Sequence, residues 1–402
     1  MMLYHVWRNL SKMRLQQLEQ RLYPGLRILT RQSVASKEKL LQFVMLLKDL
    51  RPLKQVSIPA FGWTVSDFGL QPALLSQSTT KTLKETLKPD LSAHDIFEKI
   101  KRESLRDSGL WIIKEPTFKS WSQHKTPLLW IYGPPGVGKT FISCSIIEYL
   151  QQLYSYRFQE TSQVCIAYFF CRRDMEDLRS FSTLLRTVAH QIASQDAVYA
   201  TYIQNLANFS SEQSSITGLW KDLFVNFFIE GDPRSRALII LDGLDEANEN
   251  ELEEFLGLLV DLESFEPENS VSKLQILLMS RPEVAEQLED GLGILPTRLE
   301  ISSTKNGQDI ERYICERVKR SPKLRRRPES IQNEIITKLS SNANGLFLWA
   351  KLMLKEIQTE DRIDGIRRTL NNLPRDLTST LQQITRRLTQ TLKPHQLDDL
   401  KV

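Results

Sequence analysis

Cysteine and histidine are scarce in this chain. Its 402 residues hold four cysteines and five histidines. Cys144, Cys165, Cys171 and Cys315 fall at no C-x-x-C or other ligand spacing, which excludes a zinc module or a disulfide framework as the organising feature. They read as reduced, mostly buried thiols of an intracellular protein. No apolar run reaches the roughly 18–20 residues a membrane-spanning helix needs, so no membrane span is expected. The first residues also lack the continuous apolar core of a secretory signal. Nor is there an excess of one charge: 53 basic against 49 acidic residues leave +4, which gives no global electrostatic case for nucleic acid or an anionic membrane. No repeat of 20–50 residues is visible.

What is present is a globular composition, 41% hydrophobic and 25% charged, with room for two or three cored domains. Residues 1–50 carry Leu15, Leu18, Leu22, Leu40, Leu41, Val44 and Leu47 at helical spacing and are expected to form a helical N-terminal region. Within it, Arg8, Lys12, Arg14, Arg21, Arg27, Arg31 and Lys37 face one acid, Glu19. A basic helical segment is the expectation there, with a mitochondrial transit peptide as the alternative. Residues 51–93, rich in Pro, Gly and a Ser/Thr cluster, read as a linker.

From residue 94 to 301, short apolar runs alternate with helical segments. The runs are Leu128–Tyr132, Val164–Phe170, Ala237–Leu241 and Leu274–Met279, with a weaker one at Arg298–Ile301. Near-continuous apolarity is what strands of a parallel sheet covered on both faces by helices require. The expected fold class is therefore α/β. Beyond Ser302 the pattern is helical only, over 310–318, 331–339, 346–357 and 366–388, so an all-α helical subdomain is expected over 302–365, with a further arm starting at 366–402.

The first apolar run leads straight into Gly133-Pro134-Pro135-Gly136-Val137-Gly138-Lys139-Thr140 and then into an amphipathic helix with Ile142, Ile146, Ile147 and Leu150. That is a P-loop in its strand–loop–helix setting. Its glycines let backbone N–H groups turn inward around phosphate oxygens, and the helix N-terminus adds partial positive charge. Lys139 is expected to reach the β- and γ-phosphates, and the Thr140 hydroxyl to ligate Mg²⁺. About a hundred residues on, Ala237–Asp242 is an apolar strand ending in an acid. Asp242 is expected to hold Mg²⁺ through its water shell, with Asp245 or Glu246 polarising the attacking water. The run at 274–279 ends in Ser280-Arg281-Pro282. Beside the other two strands, Ser280 and Arg281 would face the same cleft, with Arg281 sensing the γ-phosphate or, as the alternative, serving only as a surface ion-pair donor.

The segments LLWIYGPPGVGKT (128–140), YFFCRRD (168–174), ALIILDGLDEA (237–247) and LLMSRP (277–282) resemble those of the fungal NACHT-type signal-transducing (STAND, NLR-like) NTPases. They are also similar to the nephrocystin-3-like N-terminal NTPase module. RDSGLWIIKEPTFKSW (106–121), NGLFLWAKLML (344–354) and LNNLPRDLTSTLQQI (370–384) resemble the family's lead-in and helical segments, so the likeness spans about 94–388. It implies that Gly133, Gly138, Lys139 and Thr140 bind phosphate and Mg²⁺. It also implies that Asp242, Asp245 and Glu246 form the metal and hydrolysis cluster, that Arg281 is the sensor, and that Gly109–Ile113 lie near the base. The resemblance further implies a cytoplasmic ATP/ADP switch with slow hydrolysis, acting in fungal non-self recognition or regulated cell death. Self-association or partner proteins would engage the N-terminal region. ATP is expected over GTP, since no N-K-x-D motif follows. The chain departs from the family in carrying no sensing repeats before Val402 and no M-H-D-like histidine, His395 in KPHQLDDL not matching. A truncated or short member is expected, or one whose partner supplies recognition. The alternatives are an ATP-binding interaction scaffold with negligible turnover and a mechanical ring ATPase, for which neither a trans arginine nor a pore loop is visible. The basic run from Lys319 to Arg327, framed by Pro322 and Pro328, reads as a solvated inter-helix loop, with a nuclear-localisation or nucleic-acid patch as the alternative.

Overall fold

A computed structural model describes residues 77–391, apart from 106–107, 156–162, 207–214, 232–233, 265–272 and 294. The helical region expected over 1–50, most of the linker, and His395 lie outside the described residues.

Helix α1 (Gln77–Leu87) and α2 (Ser92–Glu103) precede a 3₁₀ turn at Leu110–Lys114 and α3 (Pro116–Ser122). Strand β1 (Leu128–Tyr132) leads to α4 (Lys139–Ser155), and β2 (Val164–Phe170) to α5 (Phe181–Ala193). Next come α6 (Ala197–Gln204) and α7 (Ile216–Trp220), the latter running on as a π-helix to Ile229. Strand β3 (Arg236–Asp242), α8 (Glu249–Ser264), β4 (Leu274–Ser280), α9 (Ala285–Leu292) and β5 (Thr297–Glu300) close the sheet. The helices that follow are α10 (Ser303–Arg320), α11 (Glu329–Asn342), α12 (Phe347–Thr359), α13 (Ile363–Asn371) and α14 (Leu377–Thr391).

The five strands form one sheet in the order β2-β3-β4-β1-β5, every pairing parallel. Strand alternation divides the side chains between two cores. Leu128 and Trp130 of β1 join Ile239, Leu278 and helix α5 on one face. Leu129 and Ile131 join Ile240, Leu277 and helix α4 on the other. Both faces are buried, which is why the strands read as unbroken apolar runs. The outer edge of β2 is closed by side chains. Gln191, in the last turn of α5, and Gln195, in the turn just after it, each accept the N–H and donate to the C=O of one strand residue, Tyr168 and Ile166 respectively, at 2.8–2.9 Å. Two amides thus stand in for the missing strand.

Two boundaries differ from the sequence reading. The stretch expected as linker is helical from Gln77 to Leu87 and again from Ser92. Leu83 and Leu87, four apart, sink into the core beside α5, and Asp90 N–H donates to Thr187 Oγ1 at 2.9 Å. At the other end, Ile366 and Leu370 of α13 share one core with Ile314, Leu339 and Trp349, so the helical subdomain runs through Asn371, past the boundary expected at 365. The helix expected over 366–388 is split at 372–376, where Pro374 has no N–H to continue it. The basic loop after α10 is tied down: Lys323 pairs with Asp361 at 3.1 Å, and Arg327 donates to the Asp361 carbonyl at 2.6 Å.

Candidate functional site

The loop between β1 and α4 sits at the C-terminal edge of the sheet. Gly136 and Gly138 adopt φ of +80° and +95°, left-handed conformations that a Cβ disfavours, and these turn the loop round the first turn of α4. Lys139 folds back so that Nζ donates to the carbonyls of Gly133 at 2.7 Å and Pro134 at 3.2 Å. Burial lowers its pKa, while the charges of Asp245 and Asp242 act the other way. Lys139 and Asp242 therefore belong to one cleft. They are brought together by β4, which lies between β1 and β3.

Asp242 is 1% exposed at the end of β3. Its Oδ1 accepts from Ser143 Oγ at 2.8 Å, whereas Oδ2 is buried with no hydrogen-bond partner. Burial pushes this carboxyl upward, opposed by the Ser143 hydrogen bond, the charges of Arg172 and Lys139 and the nearby Thr140 hydroxyl. An orphaned buried carboxylate oxygen is costly. With the Thr140 hydroxyl close by, it fits a hard, oxygen-seeking cation such as Mg²⁺. Among the described residues no three His, Cys, Asp or Glu side chains gather to hold a metal, so a cation here would rely on few protein atoms.

The glycine after Asp242 is dictated by packing. Gly243 has φ +79°, and a Cβ there would stand 2.8 Å from the Cys171 carbonyl oxygen. The turn that follows presents Asp245 and Glu246. Asp245 accepts the Arg281 backbone N–H at 3.0 Å on Oδ1 and pairs with Arg281 Nε at 2.9 Å through Oδ2. Glu246 accepts the Arg173 N–H at 3.2 Å, and the Arg173 guanidinium donates to the Asp245 carbonyl at 3.1 Å. Ser280 does not face the cleft. It is fully buried, accepts from Trp130 Nε1 at 2.9 Å and donates to the Arg281 carbonyl.

A cavity of about 400 Å³ opens over the loop, lined by Pro135, Gly136, Gly138, Lys139, Thr140, Asp242, Asp245, Glu246 and Arg281. Gly133 and Val137 are buried behind the loop, Val137 being 1% exposed, whereas Pro134 is exposed and does not line the cavity. The opposite wall is Tyr313 and Arg317 of α10 with Phe347, Leu348 and Lys351 of α12. Leu348 N–H donates to the Gly136 carbonyl at 3.1 Å, and the buried Asn306 donates through Nδ2 to the Val137 carbonyl at 2.8 Å. The lead-in lines the cavity with Leu105 and Ser108. Within Gly109–Ile113, by contrast, Gly109 N–H is fastened to Asp309 Oδ2 at 2.7 Å, Ile112 is buried, and Trp111 lies under Lys305 at 5.4 Å. The sequence reading named the loop, Asp242, Asp245, Glu246 and Arg281 on the sheet wall, missed Phe141 and Ser145 of α4, and assigned no site role to the helical wall.

A glycine loop opening a helix, a lysine over it and a buried strand-end acid across an intervening strand define the P-loop NTPase class. Residues 107–281 match the family described as Nephrocystin 3, N-terminal. The chain is also similar to the vegetative incompatibility protein HET-E-1 of Podospora anserina, at 24% identity over 269 residues. That match covers 65% of this chain and 19% of that protein, so the chain spans about a fifth of the relative's length. Over these residues the chain is therefore similar to NACHT-type P-loop NTPases. Among solved structures it is similar to a Walker-type ATPase of Pyrococcus abyssi, at 15% identity over 71% of this chain and 77% of that one with a TM-score of 0.41. It is also similar to Cdc6p from Pyrobaculum aerophilum, at 15% identity over 67% and 68% with a TM-score of 0.40. At such scores neither neighbour's ligand nor action transfers. No helix of the described residues is long and apolar enough to cross a membrane.

Proposed function

We propose that the chain binds Mg·ATP and Mg·ADP in this cleft and works as a signal-transducing switch that hydrolyses ATP slowly. The observation that carries this reading is the unpartnered Oδ2 of the buried Asp242 beside Thr140 and Lys139. Mg²⁺ held by Thr140 and Asp242 would neutralise phosphate charge. The loop N–H groups and the α4 N-terminus bind the phosphates, and Lys139 exchanges its loop carbonyls for phosphate oxygens. Both oxygens of Asp245 are engaged by Arg281, so the water-polarising role falls to Glu246, and Arg281 senses the terminal phosphate from a fixed position. To swing a switch from mostly closed to mostly open, the two nucleotide states must differ by about 5 kcal/mol. The proposed setting is fungal non-self recognition or regulated cell death, with self-association or partner proteins engaged through the N-terminal region.

One observation favours a second reading, an ATP-binding scaffold with negligible turnover: the Arg281–Asp245 pair satisfies two groups the hydrolytic reading would use. Phosphate release under excess ATP separates the two. The switch reading expects slow turnover that Glu246→Gln abolishes while ATP binding persists. Turnover equal in wild type and Glu246→Gln would remove the hydrolytic assignment.

A further inference from the structure

The two walls of the cleft differ in charge. The acids that line the cavity, Asp242, Asp245, Glu246 and Glu103, come from the sheet and the lead-in, whereas α10 and α12 contribute no acid and two cations, Arg317 and Lys351. Helix spacing aims these cations. Phe347 and Lys351 are four apart on α12, and Tyr313 and Arg317 four apart on α10, so each pair shares a face. The Tyr313 and Phe347 rings meet edge to face at 5.7 Å, which joins the two faces. The start of α12 is itself registered on the phosphate loop. Leu348 N–H bonds the Gly136 carbonyl, and the Phe347 ring is so close to Gly138 that a Cβ there would stand 3.0 Å from it. Arg317 lies 5.2 Å over the Tyr313 ring. Among the described residues neither Arg317 nor Lys351 has an acidic partner, whereas Arg281, a cation of the sheet wall, is held by Asp245 through Nε.

We propose that Arg317 and Lys351 are polyphosphate ligands, so that a bound nucleotide di- or triphosphate is clamped between the sheet and the helical subdomain. This rests on the nucleotide reading above. Two cations on one wall of a cavity, neither paired with an acid, can each take a phosphate oxygen, and a polyanion bridges them to the loop on the other wall. Nucleotide charge is thereby read directly by the helices that lead on towards α14.

The test is calorimetric titration of the full chain with ATP, ADP and AMP in the presence of Mg²⁺, at low and high salt. The Arg317→Met, Lys351→Met double variant is expected to weaken ATP and ADP binding about tenfold or more, to compress the preference for ATP over AMP, and to flatten the salt dependence. Lys351→Arg is expected to keep the wild-type preference. Both side chains are exposed. Should the double variant melt early, Lys351→Met against Lys351→Arg makes the same comparison. A wild-type ATP-to-AMP preference in a folded Met variant overturns this inference alone. A wild type that binds no ATP, or a Lys139→Ala chain that binds as well as wild type, overturns the underlying site.

Discussion

The two walls of the cleft are built by different rules. On the sheet wall, every functional group sits within a few residues of a strand end. Parallel register alone delivers Lys139, Asp242 and Arg281 to one edge, since β4 is hydrogen-bonded to both β1 and β3. On the helical wall, Tyr313 and Phe347 are 34 positions apart in sequence and meet only because a separate core packs α10 against α12. Groups set by strand ends are local and resist mutation elsewhere. Groups set by helix packing move whenever the helices move, which is what a nucleotide-read switch needs.

The largest effect should come from breaking the sheet wall. Lys139→Ala is expected to weaken Mg·ATP binding about 100-fold with the melting temperature unchanged, as measured by calorimetry and circular dichroism. On the helical wall, Asn306→Leu removes the bond to the Val137 carbonyl but also an Oδ1 that is buried without a partner. Stability should therefore fall by no more than ~1–2 kcal/mol, while the loosened loop binds ATP about tenfold more weakly. Equal effects of both variants on stability would erase the distinction between the walls. Gly243→Ala tests the strand-end turn and should cost about 1–3 kcal/mol in denaturant unfolding, because the left-handed backbone and the Cys171 carbonyl leave no room for a Cβ.

A smaller effect follows from pH. Burial raises the Asp242 carboxyl above its ordinary value, so the folded chain takes up this proton more readily than the unfolded one. The stability it lends is full below the ordinary carboxylate range and is lost as pH rises through the raised value. Metal binding runs the other way, because Mg²⁺ needs the ionised form. Its contribution to ATP affinity should fade as pH drops into that raised range. A Mg²⁺ dependence unchanged down to pH 4 would contradict the assignment.

The same contrast explains what could be read from sequence. Strand positions, the P-loop and the D-G-L-D-E turn were legible because each requirement, apolar run, glycine, terminal acid, lies in one short window. The strands found at 236–242 and 274–280 lie within a residue of the expected runs. The Asp245–Arg281 pair was not legible, because opposite charges at two strand ends do not say whether they face a ligand or each other. Ser280, expected in the cleft, turned inward to satisfy Trp130, a partner 150 residues away. Helix α1 was missed because a Ser/Thr cluster reads as loop, and only burial of Leu83 and Leu87 against α5 decides otherwise. The helical wall offered a family-like segment at 344–354 but no motif with chemistry in it: Lys351 and Arg317 look like ordinary surface cations until α10 and α12 are packed on the loop.

The central claim, that Asp242 and the phosphate loop together hold a magnesium–nucleotide complex, is tested most directly by the ATP dissociation constant with and without Mg²⁺ in wild type and Asp242→Asn. In wild type, Mg²⁺ should tighten ATP about tenfold or more. In Asp242→Asn it should have no effect, although that variant, freed of a buried charge, should be about 1 kcal/mol more stable without ligand. The account is contradicted if Mg²⁺ leaves wild-type affinity unchanged, or if Asp242→Asn responds to Mg²⁺ as wild type does.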